Sequence, residues 1–196
     1  FMIAAPERTC FIALGQLRLK LGNLLQLIER DRYEFVWVHD FPMFEYSEEQ
    51  DRYIAMHHPF TSPCAEDIPR LDTKEFHQAR ARAYDLVLNG NEIGGGSIRI
   101  HSREVQQKVF RCLGIGEDEA RSKFGFLLDA LTYGAPPHGG IAFGLYRMAM
   151  IMRGLDSIRD IIAFPKTAAG LSLMDGAPDR VDEDQLRELG LKLLSS

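Results

Sequence analysis

Two different spacings of apolar residues run along the chain, and they separate helical stretches from extended ones. Leu14, Leu17 and Leu21 recur at helical intervals, which predicts a helix beginning near Thr9. Residues 35–39 are instead apolar on both faces of an extended chain, as in a central strand of a sheet. The predicted elements are strands at 2–5, 35–39, 53–56, 84–88 and from 91, and helices at 9–21, within 75–83, at 102–113, 117–131, 147–154 and from 182. Residues 157–164 are predicted to form either a helix or a step from helix to strand.

Asn89 and Gly90 stand between two apolar runs, which is the strongest short signal for a β-hairpin. Helices and antiparallel strands are therefore segregated along the chain, whereas a parallel α/β fold would alternate them. This order predicts an α+β fold in which a mainly antiparallel sheet carries helices on one side.

Composition and charge narrow the class of protein. The chain has 196 residues with a net charge of -5, which argues against a surface that binds nucleic acid by charge alone. No apolar run approaches the roughly 20 residues of a membrane helix, and no secretory signal is visible. The three cysteines form no CxxC pair, which argues against a thiolate zinc site. We therefore expect no membrane association and a location in the cytoplasm or an organelle matrix.

Asp85 and Glu92 are the first candidates for chemistry, because the predicted hairpin places them on one face. A two-residue turn pairs Val87 with Glu92, and Asp85 lies two positions from Val87. Neighbouring carboxylates repel each other, and a magnesium ion that also binds substrate phosphates would relieve this repulsion. A solvated sheet face with scattered acidic residues also explains the pair, so both interpretations stay open.

Three glycines at 94–96 are followed by Arg99, whose planar guanidinium suits a carboxylate. Glycines inside a strand cost stability, and they make sense where a ligand lies against bare backbone. Strict alternation puts Arg99 on the face opposite Glu92, whereas a bulge among the glycines would return it to the same face. A flexible strand with a surface arginine is the alternative.

His57 and His58 form a third candidate. Neighbouring residues on a strand point to opposite faces, so we expect one ring to face a pocket while the other packs. No third metal ligand stands at a suitable spacing, so a hydrogen-bonding role is favoured over zinc. A histidine satisfied within the core is the alternative.

Residues 139–148, GGIAFGLYRM, predict a strand that meets a helix at a bare-backbone junction. A nucleotide could lie over these glycines while Arg147 stacks on a base or pairs with phosphate. The segment is neither a GxGxxG fingerprint nor a P-loop.

These strings together resemble a known enzyme family. Residues 139–148 resemble motif 3 of class II aminoacyl-tRNA synthetases. The strings at 56–63 (MHHPFTSP), 89–101 (NGNEIGGGSIRIH), 133–140 (YGAPPHGG) and 162–166 (IAFPK) are similar to bacterial and mitochondrial aspartyl-tRNA synthetases. Residues 13–20 (ALGQLRLK) resemble the end of the insertion (GAD) domain of the bacterial type. The resemblance therefore implies two parts, the end of that domain at 1–30 and the carboxyl-terminal part of the catalytic domain at 31–196.

The resemblance implies a role for each candidate. Arg99 would bind the side-chain carboxylate of L-aspartate, with His57 lining the same pocket and His58 close by. Asp85 and Glu92 would bind Mg²⁺, and Glu92 would also contact ATP. The rest of the ATP site would be Gly144, Leu145, Tyr146 and Arg147.

The implied reaction joins aspartate to the α-phosphate of ATP, releases pyrophosphate, and then transfers the aspartyl group to the terminal ribose of tRNA. The residues expected to act in catalysis are Glu92, Arg99 and Arg147. They would act by positioning and by charge neutralisation. In the full-length protein the resemblance further implies a homodimer.

Two departures from the family pattern qualify this expectation. Tyr146 stands where the family's motif 3 has an acidic residue. Motif 1, motif 2 with its α-phosphate arginine and the anticodon-binding OB-fold have no counterpart in the 196 residues. We therefore expect further sequence upstream and no aminoacylation by this polypeptide alone. The alternatives are a synthetase-like paralogue that charges no tRNA, and a module that binds a nucleotide or an amino acid.

Overall fold

The structure is a computed structural model that describes residues 2–29 and 32–193, and the chain divides into two compact units at residue 144. The helices of the first unit are α1 (Glu7–Leu24), α2 (Arg103–Cys112) and α3 (Glu117–Thr132). Its strands are β1 (Phe35–His39), β2 (Phe44–Ser47), β3 (Arg52–Ala55), β4 (Ala83–Leu88), β5 (Asn91–Ile98) and β6 (Gly139–Phe143). The second unit contains α4 (Leu145–Met152), a 3-10 turn (Ile158–Asp160) and α5 (Glu183–Glu188). Within the described residues, no helix is long and apolar enough to cross a membrane.

The main sheet has the strand order β1-β4-β5-β6, and all its pairings are antiparallel. The predicted α+β class is therefore confirmed. The prediction of a central strand at 35–39 is wrong, because within the described residues β1 pairs only with β4. Its five residues are all exposed, with Trp37 at 55%.

Some local predictions also need correction. The first helix begins at Glu7, because Pro6 has an extended ψ of 146° that ends the preceding segment, and residues 2–5 form no strand. The helix predicted within 75–83 is only a 3-10 turn (Phe76–Gln78), since the residues after it are extended. Ala81 pairs with Pro63, and the carbonyl of Arg82 accepts from Ile98 N–H. This stretch therefore continues the pairing of β4 with β5 beyond the start of β4.

Helices α2 and α3 build the core beside the sheet. Ser102 caps α2 as predicted, since its hydroxyl accepts a hydrogen bond from Val105 N–H at 3.5 Å. Phe110 of α2 packs with Ala120 and Leu128 of α3, and Phe60 contacts this cluster. The larger cluster consists of Met43, Phe44, Leu71, Ala79, Ala81, Ala83, Ile100, Val109 and Leu113.

Candidate active site

A cavity of about 330 Å³ lies over one face of β4 and β5. It is lined by His57, His58, Thr61, Asp85, Glu92, Gly95, Gly96, Ser97, Arg99 and Ala142. Five candidate site residues therefore share one cavity with two of the three glycines at 94–96. The five are His57, His58, Asp85, Glu92 and Arg99.

A β-bulge brings the acidic and basic candidates to the same face. Glu92 pairs with Val87 as predicted, but the next pair is Gly94 with Leu86, which leaves Ile93 without a partner on β4. This extra residue reverses the alternation, so Arg99 faces the cavity together with Glu92. The bulge that sequence could only pose as an alternative therefore exists, one residue before the glycines.

The carboxylate pair also lies as the hairpin predicted. Asp85 pairs with Gly95, and paired residues of an antiparallel ladder point to the same side. A Cβ atom on Gly95 would lie 2.5 Å from Oδ1 of Asp85. Gly95 therefore gives the carboxylate of Asp85 room to lie over the strand, at the floor of the cavity.

Gly94 and Gly96 are needed for the packing of neighbouring strands in the sheet, a role that the sequence did not reveal. A Cβ on Gly96 would overlap the carbonyl oxygen of Gly140 on β6, and a Cβ on Gly94 would lie 2.7 Å from the ring of Phe143. Close approach of β6 therefore requires these two glycines. A ligand that lies against bare backbone therefore explains only part of why glycines occupy positions 94–96.

Arg99 brings a positive charge to the cavity. Its backbone is fixed, because its N–H donates to the carbonyl of His138 at 2.9 Å and it pairs with Thr61. Its half-buried guanidinium makes no hydrogen bond or ion pair with any residue in the described part of the chain. A charge held in this way favours an anionic ligand, since a counter-charge offsets the lost hydration.

The two histidines lie in a turn and not on a strand. Strand β3 ends at Ala55, so the expectation that His57 and His58 point to opposite faces is wrong, and both line the cavity. The ring of His57 packs edge-on against Phe41, with centroids 4.7 Å apart. The pKa of His58 lies below its ordinary value, first because the ring loses hydration and second because Arg99 is positively charged.

Sequence reasoning missed Thr61 and Ser97, whose hydroxyls lie 3.4 Å apart beside the cavity. Ser97 could have been found, because it lies two residues from both Gly95 and Arg99 and so shares their face. Thr61 had no comparable signal, since its place depends on the pairing of residues distant in sequence.

Gly144 ends the first unit, and Leu145, Tyr146 and Arg147 begin the second in the first turn of α4. The predicted junction between strand and helix is confirmed, since β6 ends one residue before Gly144. Tyr146 is largely exposed. The roles of these four residues at an ATP site rest on the resemblance.

Comparison with known proteins identifies the family. A family model described as "tRNA synthetases class II (D, K and N)" matches residues 14–168. The chain belongs to this family. The class II synthetase resemblance noted in the sequence is therefore confirmed.

Several curated relatives of this class II synthetase chain carry the name aspartate–tRNA(Asp/Asn) ligase. Those of Caldanaerobacter subterraneus subsp. tengcongensis and Aquifex aeolicus are each 57% identical over 98% and 97% of this chain, and over 32% and 34% of their own lengths. The ligase of Nitratidesulfovibrio vulgaris is 60% identical over 92% of the chain and 30% of its own length. The chain thus spans about a third of the length of the curated relatives it matches.

Solved structures support the synthetase fold. The aspartyl-tRNA synthetase of Entamoeba histolytica superposes with a TM-score of 0.52 and 24% identity, over 76% of this chain and 26% of that one. The asparaginyl-tRNA synthetase of Pyrococcus horikoshii gives 0.50 and 22%, over 69% and 27%. At these identities the likeness concerns the fold alone.

Proposed function

We propose that this chain is part of an aspartate–tRNA ligase and forms the wall of its L-aspartate site. The observation that supports this most is the guanidinium of Arg99, which lines a cavity with His57 and His58 and has no ion-pair partner among the described residues. A guanidinium can bind the two oxygens of a carboxylate side by side. The names of the curated relatives fit the same substrate.

The same proposal gives the acidic residues a role with ATP. Asp85 and Glu92 are two carboxylates on one cavity, which suits Mg²⁺ because this ion binds one or two carboxylates together with phosphate oxygens. No group of three or more metal-ligating side chains occurs in residues 2–29 and 32–193, so phosphate and water would supply the remaining ligands. A magnesium ion there would neutralise phosphate charge during adenylation. By the resemblance to the family, Gly144, Leu145, Tyr146 and Arg147 would also bind ATP.

For the whole protein, we propose L-aspartate, ATP and tRNA as substrates, a homodimer as the assembly, and the cytoplasm or an organelle matrix as the location. Residues 1–30 would form the end of the insertion domain, and residues 31–196 would belong to the catalytic domain. The 196-residue chain alone should not catalyse aspartate-dependent exchange between ATP and pyrophosphate. Such exchange by the purified chain would contradict this expectation.

The aspartate assignment can be tested by titrating an aspartyl-sulfamoyl adenosine analogue into the chain by calorimetry. Replacement of Arg99 by alanine should weaken binding about 10- to 100-fold, the worth of hydrogen bonds to a charged group. Arg103→Ala is the matched control, because Arg103 is exposed and does not line this cavity. Equal affinity of the Arg99 variant and the original chain would refute the assignment.

A module that binds a nucleotide without charging tRNA is the second candidate. The observation that favours it is Tyr146, which stands exposed where the family has an acidic residue. Binding of ATP together with equal affinity for the aspartyl and asparaginyl analogues would support this candidate.

A further inference from the structure

Gln106 is a polar residue at a place where packing alone calls for an apolar one. It lies in α2 with 1% of its surface exposed, and its neighbours Val109 and Phe110 are buried and apolar. Its Oε1 is a buried acceptor without a hydrogen-bond partner in the described residues. An unpartnered buried acceptor costs free energy that a methionine or leucine would avoid. The glutamine therefore needs an explanation beyond stability.

The other end of the same amide reaches the candidate active site. Nε2 of Gln106 donates a hydrogen bond to the carbonyl oxygen of Pro59 at 2.9 Å. Pro59 directly follows His57 and His58, and the turn is closed by a bond from Thr61 N–H to the carbonyl of His58 at 3.0 Å. The amide of Gln106 thus connects the buried face of α2 to the turn that carries both histidines.

Within that turn, one ring nitrogen of His58 is already engaged. The N–H of Phe60 donates to Nδ1 of His58 at 3.2 Å, so Nδ1 carries no proton. The proton of the neutral ring therefore lies on Nε2, which has no hydrogen-bond partner within the described residues. The charged residues that line the same cavity are Asp85, Glu92 and Arg99.

We propose that Gln106 is a positioning residue. By holding the carbonyl of Pro59, it fixes the turn so that His58 offers its Nε2–H as a neutral donor to the cavity that Arg99 lines. The identity of the ligand, an anionic aspartate side chain, rests on the proposed function. The placement of His58 does not depend on that ligand.

The test compares Gln106→Met with Gln107→Met in the full 196-residue chain. Gln107 is the neighbouring residue on α2 and does not line the active-site cavity, so its replacement controls for methionine in this helix. Nitrogen-15 NMR of the six histidine rings reports the tautomer and the titration of each, and His58→Gln identifies the signals of His58. Gln106→Met should change the nitrogen shifts of His58 and move its pKa towards the ordinary value, whereas Gln107→Met should leave both unchanged.

The affinity for L-aspartate, measured by NMR titration, should fall about five- to tenfold in Gln106→Met, which corresponds to one lost hydrogen bond. Unchanged nitrogen shifts and titration of His58 in a folded Gln106→Met variant would overturn the proposal. If that variant does not fold, exchange of the Nε2 protons of Gln106 in the original chain decides. Slow exchange supports the hydrogen bond to Pro59, and fast exchange overturns it.

The two proposals fail in different ways. If Gln106→Met moves the signals of His58 but L-aspartate changes no signal in the original chain, the positioning role stands and the aspartate site fails. If L-aspartate binds with an affinity that depends on Arg99, but Gln106→Met leaves the nitrogen shifts and the titration of His58 unchanged, the aspartate site stands and the positioning role is wrong.

Discussion

Helices α1 and α2 both carry apolar residues at helical spacing, yet only α2 uses them to form a core. Helix α2 buries Val109 and Phe110, whereas α1 buries no residue and leaves Phe11 66% exposed. The first helix has no described element of matching apolar surface against it, and the second has α3. Periodicity therefore predicts that a helix forms, but burial depends on a partner that periodicity cannot identify.

The strands repeat this contrast within one sheet. Strands β4 and β5 are partly or fully buried along most of their length and form the floor of the cavity. Strand β1 is exposed throughout, although its sequence is as apolar as theirs. The candidate site thus lies where the chain packs well, and no residue of α1 or β1 lines its cavity.

The largest effect should come from the buried aromatic cluster. Phe110 is 2% exposed and packs against Phe60 and Phe124, with ring centroids 6.0 and 5.5 Å away. Replacing it by alanine leaves a cavity, so the free energy of unfolding should fall by about 3–5 kcal/mol. Urea denaturation followed by circular dichroism measures this. A loss under about 1 kcal/mol would show that α2 is no better packed than α1.

A smaller loss should come from a buried carboxylate in the 3-10 helix Ala65–Asp72. Asp67, 3% exposed, accepts hydrogen bonds from the backbone N–H of Arg80 at 3.1 Å and from its Nε at 2.9 Å. These bonds hold the extended stretch before β4, where Cys64 N–H donates to the carbonyl of Arg80. Asp67→Asn should lower the free energy of unfolding by about 2 kcal/mol at pH 7. Asp72→Asn, at an exposed ion pair with Lys108, should cost less.

The contribution of Asp67 should depend on pH in a definite direction. Burial by itself would raise the pKa of Asp67, but the hydrogen bonds and the charge of Arg80, with Arg70 nearby, outweigh it and lower the pKa. A lowered pKa means that the folded state binds fewer protons than the unfolded state. The stabilisation is therefore present above the unfolded value near pH 4 and disappears as the pH falls further. The free energies of unfolding of the original chain and of Asp67→Asn should therefore converge as the pH falls below about 4. A constant difference between them down to about pH 2 would contradict this cause.

Much of the site could be predicted from local sequence rules for hairpin turns and helix caps. The Asn89-Gly90 turn fixed the pairing of Val87 with Glu92, and Ser102 capped α2 as its position predicted. A bulge among the glycines was only one of two alternatives, and the bulge lies one residue earlier, at Ile93, because its place depends on how β5 pairs with its neighbouring strands. The turn at His57 and His58 was missed for a similar reason, since contacts with Phe60 and Gln106 shape it.

The smallest effect on stability should come from the exposed helix. Phe11→Ala repeats the substitution made at Phe110, but in a side chain that packs against no buried cluster. The free energy of unfolding should change by less than about 0.5 kcal/mol, as for an ordinary surface position. Self-association should nevertheless decrease, because a contiguous apolar surface drives association in water. Sedimentation velocity at rising protein concentration measures this, and a large loss of stability with unchanged association would mean that α1 is packed as firmly as α2.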